Sequence, residues 1–258
     1  MLHTDFDPCR TAIINPADHF EKNPDMPENL IGVFSYKIVE QCVSELHAVQ
    51  IGQFNSCTGS LPIWKCTWHD GTEFALVSML VGGPAAVSIL EETIPMGAKR
   101  FVMLGSCGVL DHDITAGHII VPEAAVRDEG VSYHYLPAAE EITLNPRCVN
   151  AVCKALDNLE APYARTKTWT TDAFYRETRA KMDKRLQQGC AVVEMECASM
   201  AAVAQFRGVD FAQFLWAADS LSGEKWDLRN LNELGMGANA LYMEAAVQAF
   251  QYMQRRKS

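Results

Sequence analysis

Residues 190–219 carry a strand, a helix and a second strand in close succession, and this restricts the fold more than any other stretch. The apolar run AVVEM, residues 191–195, predicts a buried strand. Residues 196–207 have helical spacing, and Gly208 predicts the end of that helix. The run VDFAQFLWAAD, residues 209–219, predicts the second strand. A helix that joins two strands in this way is typical of a parallel or mixed sheet covered by helices.

The alternation of strands and helices continues through the rest of the chain. The runs RFVMLGS and HIIVPEAAV predict two further strands. Asp70-Gly71, between two apolar runs, predicts a hairpin with a two-residue type I′ turn. Residues 15–32 are rich in Pro, Asn and Asp and predict an irregular segment. Helical spacing predicts helices over residues 35–46, 85–96, 147–159, 178–188 and 231–255.

These elements predict an α/β fold of three layers (αβα), in which helices flank a mixed central β-sheet. No repeat or linker divides the chain, so residues 1–258 are predicted to form a single domain. A hydrophobic content of 48% and a charged content of 21% are enough for a substantial core. The formal net charge of −10 argues against a nucleic-acid backbone or an anionic membrane surface as the partner.

The cysteines and the N-terminal stretch indicate a compartment. Nine cysteines, an odd number without a CxxC pair, indicate reduced thiols rather than a disulfide framework or a zinc site. The N-terminal stretch lacks a basic region followed by an apolar core, so we expect no signal peptide. No apolar run approaches the roughly 18 residues of a membrane helix. The sequence therefore predicts a cytoplasmic protein without a metal or a membrane partner.

Polar residues follow three of the predicted strands where each strand ends. Ligands of open α/β sheets bind at the carboxyl ends of strands, so these residues are expected to form one small-molecule site. The residues alone leave another interpretation open, in which the glycines shape a turn and the acids cap the helix that begins at Cys197. The residues concerned are Gly105–Gly108, Glu194 and Glu196, and Asp219 and Ser220.

Five stretches within about residues 75–225 share their order and spacing with a known family. They are GGPAAVSILEETIPMGAKRFVMLGSCG, SYHY, TTDAFYRET, VVEMECASMAAVAQFRGVDF and WAADSL. These stretches resemble the purine nucleoside phosphorylase/uridine phosphorylase family, in the branch built from dimers. The resemblance implies a phosphorylase/hydrolase-like fold, a homodimer or hexamer, and cleavage of the N-glycosidic bond of a nucleoside. It implies no cofactor, but inorganic phosphate as a co-substrate.

The resemblance implies that the Glu-Met-Glu motif binds the sugar. Glu196 matches the glutamate that holds the 2′- and 3′-hydroxyls of ribose, and Met195 matches the methionine that packs against the sugar. Glu194 belongs to the same motif without an assigned role. A carboxylate accepts both hydrogen bonds of a vicinal diol, which favours a ring that becomes positively charged in the transition state.

The resemblance also implies residues that act on the base. Asp219 matches the acid that protonates a leaving purine at N7 in the purine-specific branch; the residues alone also allow a cap of the segment that follows. Phe174, beside Tyr175, matches the aromatic residue that stacks on the base. Its alternative interpretation is plain core packing.

The stretch after Phe174-Tyr175 favours a purine over uridine. The uridine-specific branch reads uracil there with a Gln and an Arg, and the best alignment gives Thr178 and Ala180. A shift of one or two residues would bring Arg176 or Arg179 into the pocket instead.

The phosphate site follows the resemblance only in part. Ser106 matches the hydroxyl that touches phosphate, and the N–H groups of Gly105–Gly108, with Cys107 among them, are expected to form an anion-binding turn. Gly82 and Gly83 match a glycine turn that lets the backbone approach the ligand.

Three arginines of the family's phosphate site are absent. INPADHF stands where Gly-Asp-Pro-x-Arg is expected, Met103 replaces the strand arginine, and IGQFNSC offers no arginine to a neighbouring subunit. Either other cations bind phosphate or water is the nucleophile, as in the nucleosidase branch of this fold. The substitute cations are Arg10, Lys65, Arg127 and Arg176, of which Arg127 also has a structural interpretation.

A histidine of the neighbouring subunit is expected to reach the ribose 5′-hydroxyl, with His3 and His19 as candidates. The function predicted from the sequence is phosphorolysis of a nucleoside, a purine rather than uridine, to the free base and ribose 1-phosphate. The alternatives are a nucleosidase that uses water and a nucleoside-binding relative without catalysis.

Overall fold

A ten-stranded mixed β-sheet flanked by helices dominates the computed structural model, which describes residues 5–254. The predicted three-layer α/β fold class is confirmed. The strands are β1 Asn29–Val33, β2 Val49–Ser56, β3 Gly59–Thr67, β4 Glu73–Ser78, β5 Arg100–Val109, β6 Ile119–Asp128, β7 Glu141–Thr143, β8 Tyr163–Thr171, β9 Cys190–Glu194 and β10 Asp210–Ser220.

The helices agree with the sequence analysis at most positions. Five predicted helices correspond to α1, α2, α4, α5 and α6 to within two residues at each end. Packing of α1 on β1 and β4, of α2 on α6, and of α4 on α7 and β10 covers the sheet. Within residues 5–254, no helix has both the length and the apolar character needed to cross a membrane. The helices are α1 Tyr36–Glu45, α2 Gly83–Met96, α3 Ser132–Tyr135, α4 Pro146–Asn158, α5 Arg179–Gln187, α6 Cys197–Arg207 and α7 Asn239–Gln254.

Five strands of the sheet close into a ring. β5 pairs with β10, β10 with β6, β6 with β8, β8 with β9, and β9 with β5. Strands β1, β4, β3 and β2 extend the sheet outward from β5, and β7 pairs with β6. β9 runs antiparallel and β10 parallel to β5. Val193 of β9 and Asp219 of β10 both lie opposite Gly108 of β5. The three strand ends singled out in the sequence therefore meet.

Four strands escaped the sequence analysis, and the shortest of them, β7, has only three residues, too few to show a pattern. β1 lies partly inside the segment predicted to be irregular, because its five residues are too few to show a period and its partners β4 and β5 are far along the chain. β2 is mostly exposed and carries little apolar patterning. β8 is rich in threonine, whose polar hydroxyl groups remove the apolar pattern expected of a buried strand.

Two predicted details were wrong. The hairpin of β3 and β4 exists, but its loop has three residues, His69–Gly71, with Gly71 alone of the three at a positive φ of 86°. This is a type I turn followed by a bulge rather than a type I′ turn. The closing helix begins at Asn239 instead of residue 231, because Leu234 and Gly235 adopt positive φ angles of 54° and 77° that interrupt a helix.

Candidate active site

One cavity of about 760 Å³ lies where β5, β9 and β10 meet. Arg179, which a shifted alignment brings into the pocket, lines it, as do three polar residues that the sequence analysis did not single out: Glu177, Gln213 and Trp226. The predicted site residues that it brings together are Ser106, Cys107, Gly108, Phe174, Tyr175, Glu194, Met195, Glu196 and Asp219.

Glu194 is buried and its carboxylate is fully occupied by donors of the protein. One oxygen accepts hydrogen bonds from the Thr170 hydroxyl at 2.6 Å and the Thr168 hydroxyl at 3.4 Å. The other accepts from the backbone N–H groups of Glu196 at 2.8 Å and Cys197 at 2.6 Å, the start of α6. Burial raises the pKa of Glu194, against the effect of these donors. Glu194 is therefore the acid that caps the helix, as one of the two interpretations from the sequence required.

Glu196 precedes α6 but does not cap it with its side chain. Its carboxylate accepts the backbone N–H of Gly82 at 2.6 Å, which joins β9 to the turn before α2. Burial, reinforced by the negative charge of Glu194, raises the pKa of Glu196 to about 8. The two acids of the Glu-Met-Glu motif thus differ in role. Glu194 binds the backbone N–H groups at the start of α6, and Glu196 presents a buried carboxyl group to the cavity.

A second pair of acids lies at another part of the cavity. The pairing of β5 with β10 shifts register between Ala217 and Asp219, which changes the direction of the residues at the end of β10. The Trp226 indole N–H donates a hydrogen bond to the Asp219 carboxylate at 2.7 Å. Glu177 lines the same cavity. Burial, together with the charge of Asp219, raises the pKa of Glu177 to about 7. With this pKa, Glu177 is partly protonated at neutral pH and can serve as a proton donor.

Phe174 and Tyr175 form an aromatic pair at the cavity, with ring centroids 4.1 Å apart. Their side chains are exposed, Phe174 by 50% and Tyr175 by 87%. Core packing, the alternative interpretation of Phe174, is therefore excluded. Exposed aromatic faces beside a cavity are suited to stacking on a planar ligand.

The segment Gly105–Gly108 differs from the predicted anion-binding turn, because it lies inside β5 and pairs with β10 and β9. A Cβ at Gly108 would come within 2.9 Å of Leu221 Cδ1 and 3.0 Å of Val193 Cγ1, so a side chain there would require both neighbours to shift. Burial raises the pKa of the Cys107 thiol well above its ordinary value, and the thiol donates to the Trp216 carbonyl. Cys107 thus remains a protonated wall residue.

Gly83, Arg127 and Arg176 do not line the cavity. Gly83 begins α2, and a Cβ there would lie 2.4 Å from the Ser199 hydroxyl oxygen. Arg127 is buried and donates to the Ser132 hydroxyl and to two carbonyls, which matches its structural interpretation. Arg176 is exposed in a short 3-10 turn.

Other candidates from the sequence lie elsewhere. Lys65 pairs with Glu73 on the hairpin at 2.9 Å, and Arg10 lies over the Phe206 ring. His19 is exposed and outside the cavity lining, whereas His3 lies outside the described residues.

Arg179 is the only cationic side chain among residues 5–254 that lines the cavity. Its guanidinium donates to the carbonyl oxygens of Leu221, at 3.1 Å, and Gly223. The sequence left the position of Arg179 open, because a shift of one residue in the alignment with the family decides whether it is assigned to the pocket. Arg179 is the first residue of α5. Glu177 carried no signal in the sequence, because it is far from Asp219 along the chain. Trp226 carried none because only the course of the loop after β10 brings its indole to Asp219.

Comparison with known proteins identifies the family of the chain. A family model described as the phosphorylase superfamily matches residues 37–249. The chain is 30% identical over 145 residues to a guanosine phosphorylase of Halorubrum lacusprofundi, covering 55% of this chain and 58% of the relative. It is 25% identical over 160 residues to the uridine phosphorylase of Escherichia coli K12, covering 55% and 63%. Each match spans about three fifths of the relative's length.

An uncharacterized protein, R802 of Acanthamoeba polyphaga mimivirus, is 27% identical over 168 residues, covering 61% of this chain and 62% of the relative. Two solved structures share the fold. Purine nucleoside phosphorylase from Toxoplasma gondii in complex with immucillin-H has a TM-score of 0.75 at 20% identity, covering 92% of this chain and 98% of the other. AMP nucleosidase from Bacteroides thetaiotaomicron has a TM-score of 0.71 at 18% identity, covering 90% and 91%.

Proposed function

The chain belongs to the phosphorylase superfamily, and from that premise we propose that it cleaves the N-glycosidic bond of a purine nucleoside. The observation that carries this proposal is the convergence of Glu196, Asp219 and Phe174 on one cavity. An acid for the sugar, an acid for the base and an aromatic face for stacking are what this cleavage requires. In this proposal the small-molecule partner is the nucleoside.

The sugar is proposed to bind at Glu196, with Met195 packed against the ring. The bond between C1′ and the base nitrogen breaks through a state in which the sugar is positively charged. The ionised form of Glu196, which a positive charge nearby favours over the protonated form, holds the 2′- and 3′-hydroxyls and stabilises that charge more than the neutral ground state. The Gly82 N–H, 2.6 Å from the carboxylate, supports its orientation before the substrate arrives.

The leaving base is proposed to take its proton from the acid pair. Phe174 stacks on the base, and Asp219 faces N7, a position that a purine has and uracil lacks. With the pKa of Glu177 raised to about 7 beside Asp219, a proton is available at neutral pH. Protonation lets the base leave as a neutral molecule.

Water is the nucleophile that the charges of the cavity favour. Within residues 5–254, four carboxyl groups and one guanidinium line the cavity, and the guanidinium of Arg179 donates to two carbonyl oxygens. A phosphate dianion among these acids would lack cationic partners, which is costly in a partly buried site. In hydrolysis the water oxygen bonds to C1′, the C1′–N electron pair leaves with the base, the base gains one proton and the water loses one to a carboxylate.

Phosphorolysis is the second candidate, supported by the sequence resemblance and by relatives named guanosine phosphorylase and uridine phosphorylase. It requires a cation from outside this cavity. A homodimer or hexamer, in which a neighbouring subunit completes the site, would supply one.

Incubation of the protein with inosine, guanosine, adenosine and uridine, in phosphate-free buffer and with phosphate, tests both candidates. We expect purine base and free ribose to appear in phosphate-free buffer at the same rate as with phosphate. Release that needs phosphate and yields ribose 1-phosphate would replace water by phosphate. Nucleoside binding without any release would identify a non-catalytic relative and overturn the proposal.

A further inference from the structure

Gln213 is a buried polar residue without a hydrogen-bond partner. It lies in β10 with 1% of its surface exposed. Neither its carboxamide nitrogen nor its carboxamide oxygen has a partner in the structure. A buried amide that bonds to nothing lowers stability, and such groups in native proteins call for an explanation. Because Gln213 also borders the cavity, a ligand in that cavity is the explanation at hand.

The neighbours of Gln213 in the sheet are apolar. Its register partner on β5 is Met103, and Leu215, two residues along β10, also lines the cavity. Neither of these side chains can donate or accept a conventional hydrogen bond. We take the missing partner of the amide to be a small molecule in the cavity.

Gln213 and Asp219 lie at opposite ends of the part of β10 that lines the cavity. Five residues lie between them, with a register shift between Ala217 and Asp219. A displacement at C1′ places the attacking atom and the leaving base on opposite faces of the sugar carbon. With Asp219 proposed to meet the base, Gln213 is proposed to meet the attacking atom on the opposite face.

The chemistry of the amide selects the ligand. Its N–H groups need an acceptor and its oxygen needs a donor, and a water molecule can supply both at once. A phosphate dianion offers mainly acceptors and would leave the oxygen unpaired in an uncharged wall. The geometry points to Gln213 as the residue that binds and orients the attacking water, an inference that rests on the proposed hydrolysis.

Gln213→Met tests this, since methionine has the same length without the amide. We expect kcat for hydrolysis of a purine nucleoside to fall about 100-fold, as expected for a misplaced reactant, with KM changed less than about twofold. The melting temperature should rise or stay constant, because an unpaired buried amide is removed. Gln53→Met, at an exposed position of β2, is the matched control and should change neither parameter.

A second measurement separates orientation of water from a structural effect. In buffer that contains methanol, wild-type protein should form mainly ribose, and Gln213→Met should give a larger share of methyl riboside because water is no longer selected. An unchanged kcat and product ratio in Gln213→Met would overturn the role of Gln213 and leave the proposed hydrolysis intact. Phosphate-dependent release, or no release, by the wild-type protein would overturn both.

A crystal structure with a purine nucleoside analogue gives a test without turnover. We expect one ordered water within hydrogen-bond distance of both carboxamide atoms of Gln213. A carboxamide bonded to the sugar, to the base or to a protein group would contradict the inference.

Discussion

Glu194 and Gln213 are both buried in the wall of the same cavity, yet their hydrogen bonding is opposite. Glu194 accepts from two threonine hydroxyls and two backbone N–H groups, whereas Gln213 has no partner. The hydrogen bonds of Glu194 are therefore complete before any ligand binds, and those of Gln213 are not. The difference teaches that polarity and burial alone do not identify a binding residue; the state of its hydrogen bonds does.

Glu196→Ala tests the comparison most severely, because Glu196 shares the motif of Glu194 but is proposed to bind the sugar. We expect kcat/KM to fall by about 10²–10³-fold, the usual loss when a group that stabilises transition-state charge is removed. Initial rates of base release measure it. Glu40→Ala, an exposed change on α1, is the control. A folded Glu196→Ala protein with normal activity would refute the assignment of the sugar site.

Glu194→Ala should act on stability instead. The Thr170 hydroxyl and the N–H groups of Glu196 and Cys197 would lose their acceptor in a buried place. We expect the free energy of unfolding to decrease by about 3 kcal/mol, measured by urea denaturation. Gln213→Met, in contrast, should not decrease it. Equal stability of Glu194→Ala and the wild type would contradict the distinction drawn between Glu194 and Gln213.

The pH dependence of stability sharpens the difference between the two glutamates of the motif. Burial raises the pKa of Glu196 from its ordinary 4.5 to about 8, so the folded empty protein binds a proton that the unfolded chain releases. The stabilisation from this group is complete below pH 4.5 and is lost as pH rises through about 8. In Glu196→Gln the decline of the unfolding free energy over this range should be shallower, by at most about 1.4 kcal/mol per pH unit. A slope equal to that of wild type would contradict the assigned pKa.

Trp226→Phe has the smallest expected effect and concerns the base end. The indole N–H donates to Asp219 at 2.7 Å at a partly exposed position, so its loss frees the carboxylate without opening the core. We expect kcat/KM for purine nucleosides to fall about twofold to tenfold, while stability is nearly constant. Lys225→Ala on the same exposed segment is the control. A loss as large as that of Glu196→Ala would mean that Trp226 itself binds the substrate.

The sequence predicted those parts of the fold that local signals determine. Gly208 at the end of α6 and the apolar runs of β9 and β10 located one strand–helix–strand unit correctly. β1 could not be found in this way, because five buried residues become a strand only through pairing with β4 and β5.

The candidate site shows the same division. Glu194, Glu196 and Asp219 were identified because they follow predicted strands. Arg179 was offered only as the outcome of a shifted alignment, because its position depends on a distant loop at Leu221. Gln213 was not identified, because its importance lies in the absence of any hydrogen-bond partner. A residue whose importance lies in a missing contact leaves no pattern in the sequence.

The closed ring of β5, β10, β6, β8 and β9 has a consequence for exchange of backbone amide hydrogens with solvent. Each of these strands has a neighbour on both sides, so no member can detach from the ring without breaking two ladders. Deuterium should therefore enter the strands that carry Glu194 and Asp219 only when the whole ring opens, and it should enter the outer strand β2 much sooner.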